Sequence, residues 1–187
     1  GSDDFYPRDE ASQSCHLYNN AYNALMISQC GLQDWDMFQT NLNQSWMHGA
    51  SRAISGGPVY ISDRPNCHNT DILNRIVLED GSVPRPIQSA LPTLDAIFEN
   101  PLEKNSNSLL KIWNVNPCDG HGVVGAFNVQ GSFWSQSKRA YDFSKNQNET
   151  VKGKICPKDC HSLLRKAEET EKVGERANRS EKAALYA

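Results

Sequence analysis

Two short apolar runs, Trp35–Phe38 and Pro58–Ser62, constrain the fold of this chain more than any other feature, because helical sequence flanks each of them. Ahead of the first run, Ala11, Cys15, Tyr18, Tyr22, Leu25 and Met26 recur at helical spacing and predict a helix over 10–30 that Gly31 stops. Between the runs, Leu42, Trp46, Ala50, Ala53 and Ile54 share one helical face, and Gly56-Gly57 closes it. Beyond the second run, Asn69 can cap a third helix reaching Val77, and Glu79–Ser82 reads as a turn. Short apolar strands alternating with helices predict parallel strands buried on both faces. Both runs carry acids at their ends, Asp34 and Asp36 at the first and Asp63 at the second. In parallel α/β folds, chemistry gathers at the carboxyl ends of strands. Two βα units are too few for a self-sufficient parallel sheet, so the chain reads as part of something longer, and Gly1 in place of Met agrees with that.

After Pro92 the style of the sequence changes. Residues 108–116 and 122–130 are strand-like runs that can turn through Asp119-Gly120, and Phe133, Trp134, Tyr141 and Phe143 continue an aromatic, β-rich pattern. From residue 152 onward, 15 of 36 residues are charged and Tyr186 is the only aromatic. The expected organisation is therefore an α/β part over 1–91, the start of an antiparallel β part over 92–151, and a charged, helical or disordered tail over 152–187. A net charge of −3 excludes the basic excess of a general nucleic-acid binder. No run of about 18 apolar residues is present to span a membrane.

Six cysteines spread through a chain with 38% apolar residues do not have the density of a disulfide scaffold. Cys156, Cys160 and His161 offer three zinc-type ligands, but no fourth lies nearby, and no metal is expected. His48 reads as a hydrogen-bonded structural residue, His68 as a loop residue and Asp63 as a helix cap. Asn-x-Ser/Thr triplets at Asn43, Asn148 and Asn178 are of a kind that arises by chance. The opening Ser2-Asp3-Asp4-Phe5-Tyr6 sets two carboxylates beside aromatics just before the first helix. An acid walled by aromatics is desolvated and can donate a proton near neutral pH; a solvated loop with a helix cap is the plainer alternative.

The segments SDDFYPRDEAS, YNALMISQCGLQDWDMF, HGASRAISGGPVYISD, NRIVLEDGSV and SLLKIWNVN, in order from residue 2 to about 131, resemble the raffinose synthase and seed imbibition protein group of glycoside hydrolase family 36. That group also contains alkaline α-galactosidases. The resemblance implies the carboxyl-terminal portion of a (β/α)8 barrel followed by the start of an antiparallel β-sandwich. It implies retaining α-galactosyl transfer by two carboxylates, without a cofactor, from galactinol or another α-galactoside to sucrose or water, and it favours a cytoplasmic compartment. The family's acid/base lies in an Arg-x-x-x-Asp pattern, which makes Asp4 the candidate, with Asp3 the runner-up; the matching Arg would fall just before Gly1. The family's nucleophile comes from a Lys-x-Asp segment, and none precedes Asp4. Asp34, Trp35, Asp36 and Met37 match the strand end that lines the galactose subsite, with core packing the alternative for Trp35 and Met37. With the amino-terminal part of the polypeptide missing, the isolated chain is expected to be inactive and prone to aggregation. A non-catalytic remnant that binds carbohydrate weakly is the alternative reading.

Overall fold

The computed structural model describes residues 3–117, 120–144 and 150–160. Helix α1 spans Glu10–Ile27, and the Asp9 side chain caps it by accepting from the Ser12 amide. It ends short of Cys30, with the Ser28 and Gly31 amides closing back on the carbonyls of Ala24 and Ile27. Helix α2 spans Ser45–Ser55 and stops at Gly56, which takes a left-handed φ of 76°. A Cβ at Gly56 would lie 1.8 Å from the Gln88 carbonyl oxygen, and one at Gly57 would lie 2.3 Å from that of Gln33. The paired glycines thus let two passing backbones touch the end of the helix. Helix α3 spans Thr70–Ile76, with Asn69 as its cap, as the sequence predicts. Among the described residues, no helix is long and apolar enough to cross a membrane.

The two apolar runs do lie parallel, but they meet in a single bridge, Phe38 with Ile61. The Phe38 amide donates to the Tyr60 carbonyl (3.3 Å) and the Ser62 amide to the Phe38 carbonyl (2.9 Å). A lone parallel pair with no flanking strands has little to hold a longer ladder together.

The later part is antiparallel. Strands β1 (Leu91–Pro92), β2 (Leu110–Val115) and β3 (Gly122–Phe127) form one sheet in that order, with Leu91 opposite Trp113 and Ile112 opposite Gly125. Strands β4 (Ser132–Ser135) and β5 (Ala140–Phe143) form a separate hairpin that packs on α1. Strand β2 is buried along its whole length. Asn114 within it donates to the carbonyls of Ile54 (2.8 Å) and Gln88 (2.6 Å), stitching the sheet to the end of α2.

The expected boundaries are less sharp in space than in sequence. Leu17, Ala21 and Trp35 share one core cluster with Ala90, Leu110, Ile112, Phe127 and Val129, so residues on either side of 91/92 bury a common surface. The packed part also runs past residue 151. Cys160 is buried against Trp113 and Val115, and the Lys111 ammonium reaches the Lys154 carbonyl and Asp159 at 3.1 Å each. Charge in this stretch signals a buried partner for Lys111 rather than a solvated tail. The remainder of the tail, with His161, Asn178 and the acidic run from Glu168, lies outside the described residues.

Candidate functional site

The site is built where the Asp3–Phe5 segment meets the end of the first parallel run. The Phe5 amide donates to Asp36 Oδ2 at 2.8 Å, and the Met37 amide donates to Asp36 Oδ1 at 2.8 Å. Asp36 has a φ of +61°, a left-handed backbone that Asp tolerates better than most residues but that still costs about 1 kcal/mol or more. Burial pushes the Asp36 carboxyl up, yet the Phe5 and Met37 amides and the Tyr60 hydroxyl outweigh it, and the group is held below the usual carboxylate range. It is therefore an oriented carboxylate with each oxygen already tied to one backbone amide.

Asp34 sits beside it. Its Oδ1 accepts from the Asp36 amide at 2.8 Å, which helps fix the strained turn. The Tyr60 hydroxyl donates to Asp34 at 3.0 Å and lies 3.3 Å from Asp36 Oδ1. Burial and the Asp34 carboxylate push the Tyr60 phenol up, so it stays a proton donor at any physiological pH. Met37 is half-buried on the cluster of Phe5, Phe38, Ile72 and Ile76. Trp35, expected as a candidate sugar contact, is fully buried in the core, so its ring is packing and does not face the site.

Asp3 is half-buried and Asp4 exposed. Asp3 accepts from the Asn19 amide group at 3.3 Å and lies 3.6 Å from His16 Nδ1, while the Asp4 carbonyl lies 3.1 Å from that same nitrogen. Both carboxylates line a cleft of about 860 Å³ whose other walls include Tyr6, Arg8, Trp134 and Tyr141. Asp34, Asp36 and Met37 are not on those walls, so the two acidic groups are joined through the Phe5 amide but do not share this cleft. The aromatic surroundings expected for Asp4 exist, but they leave its side chain open to solvent.

Beneath both segments lies a residue that the sequence reading passed over. Arg52 is 1% exposed. Its Nη2 donates to the carbonyls of Trp35 (2.9 Å) and Met37 (3.1 Å) and to His16 Nε2 (2.7 Å). Its Nη1 donates to His48 Nδ1 (2.9 Å), and Nε reaches the Asp36 carbonyl at 3.4 Å. The rings of Phe5 and Phe38 flank the guanidinium, at 5.8 and 5.7 Å. Burial pulls Arg52 down to about 9, with the Asp36 charge offsetting part of that, so it stays cationic at neutral pH. Burial lowers His16 against the opposing pull of Asp3, and burial together with Arg52 holds His48 well below its ordinary range. His48 is structural, as expected. A sequence signal existed for the group: Gln13, His16 and Asn20 lie on one face of α1, and His48 and Arg52 stand four apart on α2.

Asp63 does not cap α3. Its oxygens accept from the Thr40 amide (2.8 Å) and hydroxyl (2.6 Å), and the Thr40 oxygen in turn accepts from the Asn69 amide (2.8 Å). Asp63 therefore braces the turn that follows the first parallel run. His68 touches it from the exposed loop, at 3.2 Å. The Asn43 side chain donates to Glu10. The five described cysteines are free thiols, and among the described residues no group of three or more His, Cys, Asp or Glu is placed to hold a metal ion.

The family profile described as "Raffinose synthase or seed imbibition protein Sip1" matches residues 1–186. Among curated proteins, the probable galactinol–sucrose galactosyltransferase 6 of Arabidopsis thaliana is 41% identical over 162 residues, covering 87% of this chain and 21% of that protein. The galactinol–sucrose galactosyltransferase of Pisum sativum is 47% identical over 136 residues (71% of this chain, 17% of that protein). The stachyose synthase of the same species is 43% identical over 122 residues (65% and 14%). The chain thus spans about a fifth of the length of the curated relatives it matches, and it belongs to the raffinose synthase or seed imbibition protein family.

Proposed function

We propose that this chain is a section of an α-galactosyl-transferring enzyme, forming the end of a (β/α)8 barrel and the opening of an antiparallel sandwich. Asp36 binds donor galactose, and Asp4 transfers protons to and from the departing and arriving oxygens. The observation that carries this reading is the oriented Asp36 carboxylate on a strained turn, joined through the Phe5 amide to the segment that holds Asp4. Strain of this kind gathers at functional sites. The donor is galactinol and the acceptor sucrose, after the relatives' names.

The reaction has two halves. A carboxylate supplied by sequence outside this chain attacks the anomeric carbon; the bond to the leaving oxygen breaks, and Asp4 gives that oxygen its proton. The acceptor hydroxyl then attacks the same carbon, releases the enzyme carboxylate and returns its proton to Asp4. Asp36, already fixed by two backbone amides, accepts hydrogen bonds from sugar hydroxyls without having to reorganise.

The test is galactosyl transfer from galactinol to sucrose by the complete polypeptide. Asp4→Asn should lower kcat by about 100-fold or more, the usual worth of a positioned proton donor. Asp36→Asn should raise the KM for galactinol while the protein stays folded. Wild-type activity that persists in Asp4→Asn would remove Asp4 from the role.

A further inference from the structure

We propose that Arg52 is a positioning residue that couples the sugar-binding turn at Trp35–Met37 to the Asp3–Asp4 segment, with His16 as the link between them. The inference rests on the functional reading above and deepens it.

The argument starts from valence. A guanidinium only donates, so each imidazole nitrogen that it meets must be an acceptor. His16 Nε2 and His48 Nδ1 are those nitrogens, at 2.7 and 2.9 Å. The two rings are thereby fixed in opposite tautomers. His16 carries its proton on Nδ1, which faces the Asp4 carbonyl at 3.1 Å and Asp3 Oδ2 at 3.6 Å. His48 carries its proton on Nε2 and donates to Gln13 Oε1 at 3.0 Å. On its other side, Arg52 holds the carbonyls of Trp35 and Met37, the residues that bracket Asp36.

A buried cation normally pairs with a carboxylate, because burying a charge is costly. Among the described residues, none lies within ion-pairing distance of Arg52. Its charge is spread over backbone carbonyls, imidazoles and two aromatic faces. This leaves the Asp36, Asp34 and Asp3 carboxylates unpaired with the guanidinium and held by other partners, Asp36 by two backbone amides, Asp34 by Tyr60 and Asp3 by Asn19. The charged and titratable groups facing His16 are Arg52 and His48 from α2, Asp36 from the turn and Asp3 from the opening segment, with Asn20 along its own helix.

Two variants of the complete polypeptide separate the two arms. Lysine keeps the charge but cannot span both, so Arg52→Lys should lower kcat/KM for galactinol by about 100-fold, with a raised KM, as misplacement of about 1 Å does. His16→Phe fills the same space but drops only the Asp4 arm. It should lower kcat by about 10-fold, move the pH profile of kcat, and leave the KM for galactinol unchanged. If both folded variants stay within twofold of wild type, or if His16→Phe raises KM as much as Arg52→Lys does, the coupling is overturned.

Histidine-selective ¹⁵N NMR gives a readout that needs no turnover. In the wild type at neutral pH, His16 should show Nδ1–H and His48 Nε2–H, and Arg52→Lys should scramble that pattern. Histidines that share one tautomer or titrate near 6.5 in the wild type refute the link. If the wild-type polypeptide transfers no galactose, the functional reading fails, and the tautomers alone decide the inference.

Discussion

Two cations, Lys111 and Arg52, are buried among the described residues and are satisfied by opposite chemistry. Lys111 sits in β2 between two carboxylates, Asp95 at 2.6 Å and Asp159 at 3.1 Å, with the Lys154 carbonyl as a third partner. Burial pulls its ammonium down, but the two carboxylates outweigh it and the group ends above its ordinary value. Arg52 has carbonyls and imidazoles instead, and ends below its own. The first arrangement is a staple: it joins residues far apart in sequence and needs nothing beyond charge. The second sets the path of a backbone and the protonation of two rings, which only a planar five-donor group can do.

This contrast predicts different failures. Arg52→Met should abolish cooperative unfolding or cost more than about 4 kcal/mol, because several buried acceptors each lose about 1–3 kcal/mol of compensation. No single partner substitution should restore it. Lys111→Met should cost about 2 kcal/mol, less than a fully buried pair because Asp95 is largely exposed. The double variant Lys111→Met, Asp159→Leu should recover most of that loss. Chemical denaturation of the four proteins decides the matter, and an Arg52→Met protein as stable as Lys111→Met would erase the distinction.

Acid should separate the two centres more gently. His16 and His48 are buried neutral with folded values below the unfolded one of about 6.5, so the unfolded chain takes up their protons first. Their contribution is complete above about pH 6.5 and is lost as pH falls below it, by up to about 1.4 kcal/mol per pH unit for each ring. Asp95 is held down despite burial by Lys111 and Thr93, so its contribution is lost only below about pH 4. Denaturation midpoints between pH 7 and 5 should fall in the wild type and flatten in His48→Gln. An unchanged slope in that variant would mean that His48 binds its proton equally in the folded and unfolded chain.

The helices and the first hairpin were legible because periodicity, the Asn69 cap and the Gly56 stop all act locally, whereas residues 132–143 were legible only as β-rich. The motif singled out Asp36, but not the strained turn and the Phe5 amide that orient its carboxylate. Arg52 and His16 were not legible, because a polar side chain in a helix is ordinarily solvated, and only the fold brings the Gln13 and His16 side chains against His48 and Arg52. Trp35 misled for the converse reason, since an aromatic beside two acids suits a sugar platform as well as it suits a core. The edge at residue 151 was obscured because charge density reads as solvation, while Lys111 needed Asp159 buried.

The core cluster that crosses residues 91 and 92 bears on how such chains can be recombined. A chimaera cut there would ask Trp35 and Leu17 from one parent to fit Ile112 and Phe127 from another, and Gly56 and Gly57 to admit backbones that they did not evolve beside. The two stretches differ in style yet are inherited as one object, so an exchange that respects the packing must carry the first helix together with the buried strand.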